Sequence, residues 1–324
     1  VEPLETPFGR KRRINQSSCN KDFSCVKGFC PSFVSVTGGT LRKPDPKQLD
    51  LSGIPEPVIP PLGHDFSVLV TGIGGTGVLT VSALLGMAAH VAGLASTTAD
   101  MAGLAQKGGA VWSQVRIAST NEALLSPRII TGGADLVLAC DSVVAADKAA
   151  ADVLSTARTH VVANADIAPT ADFVRQRDLD FREALVRRQI ERASKAQDFI
   201  AAERIATSLM GDSIAANILL LGFALQKGLI PLPLAAIDRA IELNGVAVGF
   251  NRQALALGRL LAHDPARVEA LLAPPPGPLS LDEAIEARAA HLAAWGDMAW
   301  SARFRAAIAR VREAEARASP GSTV

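Results

Sequence analysis

The chain has 324 residues, enough for two domains and a sizeable core. Its 48% hydrophobic and 20% charged residues are those of a soluble globular protein. A net charge of +1, and no apolar run of the roughly 18–20 residues a membrane span needs, leave neither nucleic acid nor a membrane as an expected partner. Four cysteines do not make a secreted disulfide framework, so a reducing cytoplasm is the expected compartment. The first residues, Val1-Glu-Pro-Leu4, carry neither an initiator methionine nor a signal-peptide pattern, and read as a stretch cut from a longer polypeptide.

Arg10-Lys-Arg-Arg13 reads first as a solvated charge run. Its functional reading is a set of cations that tunes a nearby anionic centre or steers an acidic electron carrier. Cys19, Cys25 and Cys30 follow, spaced C-x5-C-x4-C, with Pro31 next. Three thiols in twelve positions among polar neighbours are hard to read as unrelated core residues. A structural zinc site is one reading, although zinc favours C-x2–4-C pairs and a fourth ligand, which His64 would have to supply from beyond a proline-rich stretch. An iron–sulfur cluster is the other, favoured by the Cys-Pro ending. In two-cluster ferredoxins that cysteine ligates the other cluster, so a lone run of three is what half of such a module would hold. Soft thiolates suit iron and delocalise a transferred electron.

Pro44, Pro46, Pro55, Pro57, Pro60 and Pro61 mark residues 43–63 as an extended linker. Phe66–Thr71 then reads as a buried parallel strand, followed by Gly72-Ile-Gly-Gly-Thr-Gly77 and an alanine- and leucine-rich helix over 78–92. Strand, G-x-G-x-x-G and helix make a Rossmann-like first βα unit. Asp100, ending a second strand, stands where a ribose-binding acid is expected. A nicotinamide-dependent dehydrogenase using Gly72, Gly74, Gly77 and Asp100 is therefore one reading. A tight turn with close helix packing also needs these glycines, and in either case the helix N-terminus favours an anion.

Met101–Gly109 is a second glycine-bearing loop with Gln106 and Lys107 at its tip, either a contact site or a solvent-facing turn. It leads into the alternating strand Ala110–Ile117. Ala134–Asp141 reads as a buried strand whose terminal Asp141 either faces a ligand or caps the next helix. Cys140 reads as core. Residues 211–228 are expected as one helix with Ile214, Ile218, Leu221 and Leu225 on one face and Asn217 a packed or capping side chain. Pro233–Asn244 is a further helix ended by Asn244-Gly245. After a proline-rich hinge over 273–278, Ser280-Leu-Asp-Glu283 is a capping box. It opens a helical tract whose stripe of Ile285, Ala289, Leu292, Trp295, Phe304, Ile308 and Val311, interrupted near Gly296, must pack on something. His90, His160, His263 and His291 form no metal spacing.

The stretches 14–33, 70–81, 100–118, 134–141, 211–232 and 240–255 together resemble the 2-oxoacid–ferredoxin oxidoreductase family, and within it the fused bacterial indolepyruvate type. The resemblance implies a partial ferredoxin-like module over 1–42, the linker over 43–63, a gamma-type α/β domain with a layered, largely parallel sheet over 64–272, and the start of a helical extension over 273–324. It implies thiamine diphosphate with magnesium, bound mainly outside this chain, coenzyme A as co-substrate and 4Fe–4S clusters. Ferredoxin is then the electron acceptor, the other domains of the same polypeptide are partners, and the enzyme is a homodimer. Cys19, Cys25 and Cys30 match the family's second cysteine run and carry over as ligands. That run is one cysteine short of the ordinary ferredoxin count. Gly74, Gly75, Gln106 and Lys107 are the residues expected on the cofactor-binding, active-site or interface face. No thiamine diphosphate motif is present, so the stretch alone is expected to be inactive.

Overall fold

An apolar run that ends in glycines makes the first strand of the central sheet. In the computed structural model of the protein, the described residues are 2–6, 9–14, 38, 49–101, 109–167, 173, 176, 178–272 and 279–318. Cys19, Cys25, Cys30, Gln106 and Lys107 lie outside them. The chain divides into two units, one built on Ile14–Ala273 and the other on Pro3–Arg13 with Pro274–Val324.

In the first unit, β3 (Asp65–Ile73) is buried on both faces from Ser67 to Gly72. Val68 and Val70 face one core cluster and Leu69 the other. The two-sided burial explains why the segment reads as a continuous apolar run and not as an alternating one. The short strand β6 (Leu136–Ala139) is buried throughout and pairs parallel to β3, followed by β7 (His160–Asn164) and β8 (Ala196–Ile200), also parallel. On the other side of β3, β5 (Ala110–Ala118) and then β4 (Ala95–Met101) pair antiparallel. The sheet order is β4-β5-β3-β6-β7-β8. Helices α1 (Val78–Val91), α5 (Ala202–Met210), α6 (Ala216–Gln226), α7 (Leu234–Asn244), α8 (Val248–His263) and α9 (Pro265–Leu271) contribute to the core on one face of the sheet. Helices α2 (Ser142–Ala145), α3 (Lys148–Ala151) and α4 (Glu183–Ala193) build the smaller core on the other. This is the expected layered α/β arrangement with a mostly parallel sheet.

The segment expected as one helix over 211–228 is helical from Ser213 to Gln226, its first turn over Ser213–Ala215 running on into α6. Gly211 adopts φ 78° and closes α5, its amide bonded to Thr207 O at 3.1 Å. Asp212 then accepts from the Ile214 amide at 3.0 Å and caps a single turn before α6 begins. Ile214 is exposed, whereas every residue of α6 from Ala216 to Leu225 is buried. A left-handed glycine followed by an amide-capturing aspartate stops one helix and starts the next. Ile218, Leu221 and Leu225 are buried as expected and Ile214 is not; the other faces of α6 are buried as well, so the helix has no single apolar face.

Helices α6 and α8 approach closely through two glycines. A Cβ at Gly222 would collide with the Leu255 carbonyl, and one at Gly258 with the Leu219 carbonyl. Arg259, one residue further along α8, is buried and donates to Gln226 Oε1 at 2.9 Å and Pro55 O at 2.8 Å. Gln226 Nε2 donates to the same Pro55 carbonyl at 3.1 Å. Arg267 adds bonds to Ser52 O at 3.0 Å and Asp50 O at 2.6 Å, and an ion pair with the Asp50 carboxylate at 2.7 Å. The proline-rich stretch over 49–63 carries no helix or strand, turns at Ser52–Gly53 and is strapped to this helical layer.

The second unit holds a two-stranded ribbon, β1 (Glu2–Thr6) with β2 (Gly9–Arg13), and two helices, α10 (Leu281–Trp295) and α11 (Met298–Ala318). The Ser280/Glu283 capping box is formed at the start of α10. Ion pairs of Arg305 with Glu286 and of Arg312 with Asp282 link α10 and α11. The apolar stripe is only partly covered: Trp295 and Val311 are exposed, and Ala289 and Ser301 are the buried residues of the two helices.

The glycine crossing gives a direct test. Gly258→Ala is expected to destabilise the unit by about 3 kcal/mol, because overpacked backbone must move apart. Gly249→Ala, in the first turn of α8 with nothing within 4 Å of the added carbon, is expected to be neutral or stabilising by up to about 1 kcal/mol. Urea unfolding of both variants measures the difference.

Candidate functional site

In open α/β sheets ligands settle outside the carboxyl ends of the parallel strands, where successive connections leave in opposite directions. That point lies between β3 and β6 in this sheet: the chain leaves β3 toward β4 and β5 and returns to β6 on the other side. Two connections meet there, the glycine loop over 72–77 and Cys140-Asp141-Ser142.

Gly72 has no room for a side chain, since a Cβ would stand 2.5 Å from Val78 Cγ2 and 3.2 Å from Cys140 Cβ. Gly75 and Gly77 adopt φ of 85° and 91°, the left-handed conformation that turns the strand into α1. The Gly74 amide donates to Gly109 O at 2.9 Å and ties the loop to the residue before β5. Thr76 donates through Oγ1 to Ile73 O at 2.7 Å. From α6, Asn217 Nδ2 donates to Thr76 O at 2.7 Å. The loop is therefore held near its middle by a backbone bond and near its helix end by a side chain 141 residues away. Asn217 is the packed polar residue expected from the sequence, and its partner is the glycine loop. A buried amide in an apolar helix demands a partner, which was the available signal; the partner's identity is a tertiary fact.

Next to the loop, Asp141 caps α2, accepting from the Val144 amide at 2.9 Å. The capping reading is the one the structure realises. Its carboxyl is pushed up from the ordinary value, first by burial and against the bonds from the Val144 and Val143 amides. The neighbouring Cys140 thiol is pushed up to about 12 by burial and by the Asp141 charge. A thiol that stays protonated is inert, as its reading as a core residue requires. Asn164, at the end of β7, accepts from Ala202 N at 3.1 Å and Asp166 N at 3.2 Å, and its carbonyl accepts from Ser142 Oγ. Asp166 accepts from Arg204 N at 2.8 Å, and burial is the main cause raising its carboxyl. Sequence reading missed Asn164 and Asp166; an Asn and an Asp closing a short apolar run were the signal. Directly across from one another on β3 and β5, Thr71 Oγ1 and Trp112 Nε1 are buried without a hydrogen-bond partner among the described residues.

Asp100 is not where a ribose-binding acid belongs. Strand β5 lies between β3 and β4, and the Asp100 carboxylate accepts from Ser113 Oγ. The fingerprint needs its second strand next to the first and parallel to it, and the antiparallel insertion removes that geometry. At the opposite edge, His160 Nε2 lies 2.8 Å from Asp198 Oδ2, with Lys227 Nζ 3.5 Å from Asp198 Oδ1. This cluster braces β7, β8 and α6 and is remote from the glycine loop. Among the described residues no three His, Cys, Asp or Glu are placed to hold a metal ion. The carboxyl-edge side chains spend their bonds on backbone groups, so the edge is suited to holding a rigid loop against a bound group.

Residues 67–261 match the family described as Pyruvate ferredoxin/flavodoxin oxidoreductase. The chain belongs to that family. Among curated relatives it is 41% identical over 76 residues to "Indolepyruvate oxidoreductase subunit IorB" of Archaeoglobus fulgidus, covering 24% of this chain and 36% of that protein. It is 32% identical over 75 residues to the protein of the same description from Methanothermobacter thermautotrophicus, covering 23% of this chain and 36% of that protein. The matched stretches span little more than a third of these relatives' length. Among solved structures, pyruvate oxidoreductase subunit PORC from Thermotoga maritima is similar at a TM-score of 0.44 and 23% identity, over 61% of this chain and 96% of that one. The gamma subunit of a keto/oxoacid ferredoxin oxidoreductase from Geobacter sulfurreducens is similar at 0.43 and 20% identity, over 61% of this chain and 98% of that one. No described helix is long and apolar enough to cross a membrane.

Two variants test this edge of the family domain. Asn217→Ala removes the bond to Thr76 O and is expected to cost about 1–3 kcal/mol. It should also accelerate amide hydrogen exchange at Gly75–Val78, while leaving β7 and β8 unchanged. Asp141 has a raised folded value, so its protonated form contributes stability that is lost as pH rises from the ordinary 3.8 through that raised value. Asp141→Asn keeps the cap and is expected to flatten this decline in urea-unfolding stability measured as a function of pH.

Proposed function

We propose that this chain is part of a thiamine-dependent 2-oxoacid–ferredoxin oxidoreductase of the fused bacterial type, acting on an aryl 2-oxoacid such as indolepyruvate. The observation that carries the reading is the family match over 67–261, joined to an upstream run of three cysteines. The 41% identity to an indolepyruvate oxidoreductase subunit supports the aryl substrate. The overall reaction takes one 2-oxoacid and one coenzyme A to one acyl-coenzyme A, carbon dioxide and a proton, and passes two electrons singly to two ferredoxins. Thiamine diphosphate and magnesium belong to other domains of the same polypeptide, which would form a cytoplasmic homodimer.

Three thiolates in Cys19–Cys30, outnumbering the single carboxylate of Asp22, fit an iron–sulfur cluster by donor chemistry. Cys19, Cys25 and Cys30 would hold 4Fe–4S clusters together with cysteines on polypeptide before Val1. Such a cluster supplies single-electron acceptance with little rearrangement. The described domain supplies a rigid face. Gly74 and Gly75 lie on the loop braced by Asn217 and Gly109, and Gln106 and Lys107 come from the segment that ends at Gly109. These four residues are the proposed contacts to the cofactor-bearing domains, where Lys107 would meet an anionic group and the loop would exclude water. The stretch alone would be inactive.

The test is the full polypeptide purified without oxygen. Indolepyruvate- and coenzyme A-dependent reduction of ferredoxin, with carbon dioxide released, is expected, along with iron and labile sulfide that fall in a Cys25→Ser variant. Zinc without sulfide would point to a structural metal module. Tight NADH binding with no ferredoxin reduction would return the dehydrogenase reading.

A further inference from the structure

The four consecutive cations of Arg10–Arg13 are not used by the site described above. They lie in β2, so they are fixed at a rise of about 3.3 Å per residue. Alternation sends Arg10 and Arg12 to one face of the ribbon and Lys11 and Arg13 to the other. Arg10 is engaged by Glu5 at 2.5 Å. Lys11, Arg12 and Arg13 are exposed. The unit formed by Pro3–Arg13 and Pro274–Val324 carries ten Lys and Arg against seven Asp and Glu, a net +3 in a chain whose total is +1. Positive charge is thus segregated into this unit, and it is densest on the strand that leads, six residues on, to Cys19.

We propose that β2, Gly9–Arg13, is the docking surface for an acidic one-electron carrier protein of the ferredoxin class. This rests on the proposed function. A fixed, local positive field raises the encounter rate with an acidic partner and orients it on arrival. In sequence this strand lies six residues before Cys19, the first of the proposed cluster ligands. A continuous phosphate backbone fits less well, because Pro274–Val324 carries six Arg against six Asp and Glu and adds no net charge to that of the strand, whereas a folded carrier needs only a local acidic patch.

The experiment uses the full polypeptide. Binding of an acidic bacterial ferredoxin is titrated calorimetrically at low and moderate salt, and KM for that ferredoxin is measured beside turnover with methyl viologen. In Lys11→Glu/Arg12→Glu, Kd and KM are expected to rise about tenfold or more, with a flatter salt dependence and unchanged viologen turnover. The milder Lys11→Gln/Arg12→Gln should shift both in the same direction by less. Unchanged Kd and KM in both variants would overturn the proposal, as would an equal loss of viologen turnover, which would assign the cations to the cluster or the fold. Loss of duplex DNA binding with ferredoxin binding intact would assign the strand to nucleic acid and also overturn it. If the wild-type protein oxidises no 2-oxoacid, the proposed function fails on its own, and the ferredoxin titration still decides the docking surface.

Discussion

The missing side chains at Gly222 and Gly258 let α6 and α8 come within backbone contact, and the site's geometry follows from that approach. Helix α6 is buried on every side and therefore has its position dictated by its neighbours. Set against α8, its first turn delivers Asn217 to the Thr76 carbonyl. Its last turn delivers Gln226 to the cluster with Arg259 that holds Pro55. One helix thus connects the glycine loop at one end with the proline-rich strap at the other. A buried guanidinium that shares a carbonyl with a glutamine is a satisfied arrangement, and breaking one member would leave the others exposed to the full cost of a buried polar group.

The sheet explains why a dinucleotide-like fingerprint belongs here to a domain of another family. Gly72, Gly75 and Gly77 meet the steric demands that any strand–turn–helix of this tightness makes. The next strand then enters the sheet two places away, with β5 antiparallel between them. That insertion keeps the ligand-accepting edge between β3 and β6 and removes the neighbouring strand that would carry a ribose-binding acid. The polar residues at the edge, Asp141, Asn164 and Asp166, serve helix starts and strand ends. Burial is the main cause raising both carboxyls, so each is easier to protonate in the fold than in water.

Charge is distributed between the units in a way that the near-zero total conceals. A +1 chain gives no electrostatic reason to expect a partner of either sign, and only the division into a basic and a slightly acidic unit restores one. The ribbon at Gly9–Arg13 turns a run of cations that reads as solvated filler into a surface of defined geometry.

Several features were already determined by residue order. The buried strand over Phe66–Thr71, the glycine turn, the capping role open to Asp141, the helix ended by Gly245 and the capping box at Ser280 are all local, set by φ preferences, apolar runs and side-chain-to-backbone bonds within a few residues. The resemblance to the family rested on the same local motifs. What tertiary structure decided is what depends on long-range pairing: the placement of β5 beside β3, the attachment of the proline-rich strap through Arg259 and Arg267, and the union of Asn217 with Thr76. A single sequence holds no record of which distant backbone group will meet a buried amide. Those choices are made by packing, once the two glycines have brought their helices together.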